Sequence, residues 1–422
     1  MSIKNRLKNS TLFPLLVYLR YWANRYAIKR VLTSDKLAKG FDLKPVDPGI
    51  NFFGYYNMLP ENKKGEILYL KVNQEETRGS LFESASIMLK NPDGSTSKIS
   101  ETKAWNWQQG CMLQWAPGAD GRILFNDYDP ETDRYIAKVI DKFGNPVARY
   151  DIPVNNVSKC GNFALSLNYD RLAKMRPDYG YFNKKDQTLP PDDQDGIWYL
   201  DLKTGAYKLI LSLESLKNLA YVPTMDGAGH KVNHIDINPD GTRFMFLHRW
   251  VGPQGRFMRL VTADPDGSNL CILNGDKMTS HCCWADNNEI IAFCQYNEKR
   301  GYFKFNDKSK AVRFLSAKMP KTDGHPSVSP NGQWLVTDTY PDKSRMSHLY
   351  LYNMFTDDII HLGRFYQPLK YKKLMRVDLH PKWSKNGKSV FFESAHNSNR
   401  KLYELSTINQ KAKNRLLYFI KS

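Results

Sequence analysis

Four stretches of the chain repeat one arrangement of polar and apolar positions. They span residues 234–241, 281–288, 325–332 and 380–387, headed by His234, His281, His325 and His380. Each ends in Asp240-Gly241, Asn287-Asn288, Asn331-Gly332 or Asn386-Gly387, dipeptides that supply the left-handed backbone a tight hairpin turn needs. An apolar, β-rich run follows every turn: Phe244 to Leu247, Ile290 to Phe293, Trp334 to Val336 and Val390 to Phe392. A third run and a fourth complete each unit. Four strands per repeat predict a propeller blade.

Sliding the same frame toward the N-terminus adds weaker heads at Tyr55, Met112 and Asn162. The seven heads are then spaced by 57, 50, 72, 47, 44 and 55 residues. The fold expected is all-β, a seven-bladed propeller over residues 49–422, with six blades as the alternative if the third unit is malformed. Residues 1–48 fall outside the frame as a basic amphipathic extension, and no strand exchange closing the ring is legible. Residues 170–196 form a long insertion, expected as a surface loop over one face.

Charge adds a constraint. With 61 Lys and Arg against 43 Asp and Glu, the net charge of +18 attracts polyanions such as acidic polysaccharide, nucleic acid or an anionic membrane. No nucleic-acid-binding signature accompanies it, so nucleic acid ranks last. The six cysteines contain no CxxC pair and read as reduced core residues, which favours the cytoplasm. The apolar run over residues 12–19 is too short to span a bilayer, yet Lys4, Arg6, Lys8, Arg20, Arg25, Lys29 and Arg30 flank it. Residues 1–30 therefore read either as a helix on the inner membrane surface or as one packed on the propeller's flank.

Residues at one repeated position of the innermost strands converge on a propeller's axis, and four of the nine histidines hold that position. Convergent imidazoles suit a divalent metal. Alternation places Arg376, Asp378 and His380 on one side of their strand, so His281, His325, Asp378 and His380 are the candidate ligands. A second set stands fourteen residues beyond the heads: His248, Gln295, Thr339 and Ser394. His248 is followed by Arg249 and Trp250, offering a base, a carboxylate-binding guanidinium and a sugar platform. Gln109, in the loop before the second head, and Arg376 are further candidates for binding substrate. No P-loop, Rossmann, GxSxG or HExxH pattern is present.

These residues resemble oligogalacturonate lyases, seven-bladed propellers that cleave uronate oligosaccharides with a metal, usually Mn²⁺, in the channel. Phe246-Leu247-His248-Arg249 resembles that family's strand-end histidine context, and Thr279-Ser280-His281-Cys282-Cys283-Trp284 keeps the histidine and tryptophan of its metal motif. In the third element His380 and Pro381 match, while Asp378 stands in place of a histidine and Met375 in place of a glutamine. The resemblance implies metal-assisted β-elimination on an acidic glycan, with His248 and Arg249 catalytic and Arg376, Trp250 and Gln109 on the substrate. The alternatives are a non-catalytic glycan- or protein-binding propeller associated with polysaccharide production at the membrane, and a glycoside hydrolase drawing on Asp236, Asp338, Asp378 or Glu393.

Overall fold

The computed structural model describes residues 12–24, 36–75, 83–118, 121–186, 188–275 and 278–407. Seven antiparallel sheets form seven blades, as the repeat predicts. Their innermost strands are Ile50–Phe52, Gln114–Trp115, Asn156–Val157, Gly229–Ile237, Thr279–Trp284, Ser327–Val328 and Lys382–Trp383, for blades 1 to 7 in order.

The apolar run after each turn becomes the second strand of its blade, and burial explains its composition. Ile123–Asp129, Phe163–Leu167, Trp334–Asp338 and Ser389–Ser394 bury every residue because neighbouring blades cover both faces. Alternation is therefore lost there. It returns further out, where Ala85–Lys90 alternates and Thr96–Thr102 is largely exposed. The turn glycines Gly241, Gly332 and Gly387 take φ of 78°, 74° and 69°, as expected. Asn287-Asn288 does not: instead, the Asp286 carboxylate accepts the N–H groups of Asn288 and Glu289.

A tryptophan three residues beyond a head ties blades together at three places. The indole N–H groups of Trp115, Trp284 and Trp383 donate to the carbonyls of Pro60, Asp236 and Ser327, at 2.8, 2.9 and 3.1 Å. Each bond crosses to a neighbouring blade.

The ring is closed by residues that the sequence frame leaves out. Phe41–Pro45 pairs antiparallel with Lys401–Thr407 as the outer strand of blade 7, and Lys36–Leu37 adds a fifth strand to blade 6. Strand exchange thus exists although the sequence does not show it. Pro45, which has no N–H to donate, sits on an outer strand where none is needed. Inside the seam, Arg400 pairs with Glu393 at 2.9 Å and donates to the Trp107 and Arg376 carbonyls, while Glu393 accepts the N–H groups of Phe53 and Gly54.

The insertion is a correction as well. Helix α2 (Tyr169–Met175) and the segment after it lie over one face, but Tyr179 and Tyr181 are buried, not displayed. Gly180 permits this: a Cβ there would stand 2.2 Å from the Ala173 N. Helix α3 (Leu213–Leu219) leads into blade 4. Of the helix expected over residues 1–30, α1 (Phe13–Trp22) is described, whereas residues 1–11 and 25–35 lie outside the described residues. No helix among the described residues is long and apolar enough to cross a membrane. All six cysteines are free thiols; Cys160 is exposed and the other five are buried.

Candidate functional site

The blade heads meet at the axis. Ring centroids stand 5.3 Å apart for His234 and His281, 4.0 Å for His281 and His325, and 4.4 Å for His325 and His380. The backbone is bent to aim them: His234 and His380 hold φ of 55° and 47°, in the left-handed region that non-glycine residues avoid. His234 and His281 also lie where the strand register shifts, and such bulges re-aim side chains. Tyr55 joins them, with its hydroxyl 2.6 Å from His234 Nδ1. The third head is a correction, since Asn162 follows the turn and precedes the second strand Phe163–Leu167. Val154, two residues before Asn156–Val157, takes the equivalent place.

His325, Asp378 and His380 form a buried triad whose ligand atoms lie within 4.8 Å of one another. Their donor set is unspent: His325 Nε2, both His380 nitrogens and Asp378 Oδ1 are buried without a partner. The other His325 nitrogen, Nδ1, lies 2.9 Å from Asp338 Oδ1, which orients the ring with Nε2 in the triad. Burial lowers the His325 pKa but Asp338 outweighs it and raises it, so a metal would take Nε2 in place of a proton. Burial and the neighbouring His325 keep His380 neutral, its pKa well below the ordinary value. Two imidazoles and a carboxylate with free lone pairs are a first-row divalent metal's ligands, so the residues fit such an ion. His281, the fourth predicted ligand, stands beside His325 but spends Nδ1 on Asp323 Oδ1 at 3.0 Å. Burial, then His325, holds it down at about 4.

Above the triad, Arg376 bonds Asp378 Oδ2 at 2.6 Å and reaches Asp178 from the insertion. Asp178 borders a cavity of about 490 Å³, which is also lined by Arg176, Lys231, Arg249 and Arg256. Lys231 and Arg249 face each other across blade 4. Neither has an ion-pair partner among the described residues, and Arg249 Nε is buried without a hydrogen bond. Burial, reinforced by Arg249 and Arg176, pushes the Lys231 ammonium down to about 8. Buried unpaired cations call for an anion.

Three sequence candidates do not present the groups expected of them. His248 is fully buried on the opposite face of its strand, with Nε2 3.0 Å from His230 Nδ1 and Nδ1 accepting from Arg259. Adjacent strand residues point to opposite faces, so His248 and Arg249 cannot both serve one site. Trp250 borders the cavity, but its ring is 4% exposed and stacked on His230 and Phe257. Gln109 is buried in the Asn106 to Gly110 turn; its neighbour Gln108 is the residue that reaches Arg376, donating to its carbonyl at 2.8 Å. In the set fourteen residues beyond the heads, His248 pairs with His230 and Ser394 with His396. Asp338 and Glu393, offered as hydrolase carboxylates, are held by His325 and Arg400. Lys231 and Asp323 went unseen in the sequence, and Asp338 was read only as a hydrolase carboxylate, not as the partner of His325; pairing Lys231 with Arg249 across the hairpin was the available signal.

No protein-family model matches the chain, and no curated protein matches it in sequence. Solved structures do. An oligogalacturonate lyase in complex with manganese superposes with a TM-score of 0.56 at 15% identity, over 89% of this chain and 97% of its own. The oligogalacturonate lyase of Vibrio parahaemolyticus gives a TM-score of 0.55 at 12% identity, over the same shares. The likeness shows that this chain has the seven-bladed fold of oligogalacturonate lyases.

Proposed function

We propose that the protein is a lyase that cleaves a uronate-containing oligosaccharide by metal-assisted β-elimination. The observation that carries this reading is the set of unspent donors in the buried His325, Asp378 and His380 triad, joined through Arg376 and Asp178 to the cavity that holds the unpaired Lys231 and Arg249. A divalent ion, Mn²⁺ by analogy with the manganese-bound lyase, would be held by the triad with His281 alongside, and would supply Lewis-acid polarisation of a carboxylate.

The chain's own residues do the rest. Arg249 grips the uronate carboxylate, and Arg376, kept in place by its two carboxylates, orients it. Lys231 Nζ, partly unprotonated near neutral pH, takes the proton from the carbon next to that carboxylate. The bond from the adjacent ring carbon to the glycosidic oxygen then breaks, a ring double bond forms, and the departing oxygen takes a proton from water. The test is near-ultraviolet absorbance of that double bond on a panel of uronate oligosaccharides, with and without chelator. Lys231→Met is expected to abolish the signal with metal content unchanged. Silence of the wild type across the panel with metal supplied would leave a glycan-binding propeller.

We further propose that helix α1 lies on an anionic membrane surface, which would be the cytoplasmic face of the inner membrane. Leu12, Leu15, Leu16, Val17, Tyr18, Leu19 and Trp22 are all exposed, and only Tyr21 turns inward, onto Tyr366. Apolar surface on this scale marks an interaction site, and the basic residues flanking it in the sequence suit anionic lipid. Sedimentation with anionic vesicles checks this: Leu16→Glu with Trp22→Glu should abolish binding, and undiminished binding would refute it.

A further inference from the structure

The channel has a second chamber. Tyr55 and Tyr56 of blade 1 cross the axis, the former to His234 and the latter to the main chain of Cys282, whose carbonyl accepts from Tyr56 Oη at 2.8 Å and whose N–H donates to it at 3.1 Å. Lys382 reaches back from blade 7 to donate to the Gly54 carbonyl at 2.8 Å. Two residues further along the innermost strands, roughly 6–7 Å toward the turns, Tyr55, Met112, Val154 and His234 give way to Asn57, Gln114, Asn156 and Asp236. These four line a cavity of about 590 Å³ that opens on the turn side of blades 1 to 4. The size suits a small molecule.

The lining has a definite chemistry. Asn57 and Asn156 each donate to Asp236 Oδ1 at 3.3 Å, while Asn57 Oδ1 is buried with no donor facing it. That leaves acceptors on the floor awaiting hydroxyl groups. Half-buried Trp115, its indole N–H committed to Pro60, forms a wall on which a sugar ring can lie. The exposed Lys63, Lys64, Lys159 and Lys385 stand at the rim. Set against the carboxylates of Glu61 and Asp236 in the same lining, these four ammonium groups leave the charge balance in favour of an anion.

We propose that this cavity is a second binding site, for an acidic sugar of hexuronate size, with hydroxyls on Asn57 and Asp236 and the carboxylate among the rim lysines. It is separated from the triad by the two tyrosines and needs no metal. Burial, which pushes Asp236 up to about 7 against Asn57 and Lys159, agrees with a carboxyl able to exchange hydrogen bonds with hydroxyls in either protonation state.

The test is titration calorimetry of the full chain with glucuronate, in chelator and on an Arg249→Ala background that disables the cation-lined cavity. Binding should persist there, weaken about tenfold or more in Lys159→Glu and in Asp236→Leu, and be at least about tenfold weaker for glucose. Lys159 is exposed, so its variant folds even if the Asp236 variant does not. No binding on the Arg249→Ala background overturns the proposal, as does affinity unchanged by Lys159→Glu. Equal affinity for glucose overturns the acidic class. Turnover is not measured, so these outcomes stand apart from the lyase reading.

Discussion

The two chambers of the channel are built from the same strand positions, one pleat apart, and differ in how their polar groups are held. On the imidazole side, buried and half-buried carboxylates orient the groups that matter: Asp338 fixes His325, Asp323 fixes His281, and Asp178 and Asp378 fix Arg376. On the amide side, Asp236 is held by two long hydrogen bonds and ringed by exposed lysines. The contrast teaches that chemistry in a propeller channel is set by the second layer. Rigidly partnered ligands suit a reacting centre that must be preorganised, and loosely held amides suit a site that only binds.

The sharpest way to break the comparison is to open the ring on which both chambers depend. Arg400→Ala would strand Glu393 as an unpaired buried charge and should cost about 3–5 kcal/mol, read from the denaturant midpoint. Both chambers should be lost together; a near-neutral variant would deny the seam that role. Next, Arg249→Ala should lower kcat/KM on a uronate oligosaccharide about 10²–10³-fold while leaving glucuronate binding in the amide chamber intact. A smaller effect is expected one layer out. Asp338→Asn frees the His325 ring and should weaken metal binding about 10–100-fold, measured by competition with a chromophoric chelator.

The smallest effect comes from the amide side. Asp236 is raised to about 7 when folded, so its neutral form stabilises the native state fully below the ordinary carboxyl pKa. That contribution is lost as pH rises through about 7, because the unfolded chain ionises this group and the native protein resists it. Asp236→Asn should therefore gain on the wild type between pH 4 and 7, by on the order of 1–2 kcal/mol at pH 8, with no difference near pH 3. Parallel stability curves would contradict the assignment.

The repeat made the blades legible because tight turns and doubly covered strands leave strong local signals. The heads at His234, His281, His325 and His380 followed from that register, and so did their convergence. What failed was local direction. His248 and Arg249 were read together, although a pleated strand sends them apart, and Lys231 gained its meaning only from a cross-strand partner. Asn162 went wrong because Val154, the residue in the head position, is apolar and carries no signal of chemistry. The closing strand was invisible for a different reason: its pairing partner is far away in sequence, and no local pattern records a long-range pair.

That closing strand has a consequence for how the protein is made. Phe41–Pro45 leaves the ribosome early, whereas Lys401–Thr407, against which it docks, is among the last propeller strands to be synthesised. Until then blade 7 does not exist, and the early strand has no edge to join. Nascent chains therefore pass through a stage with six growing blades and unpaired strand edges, the kind of species that aggregates and that chaperones hold. Ring closure has to wait for the synthesis of blade 7.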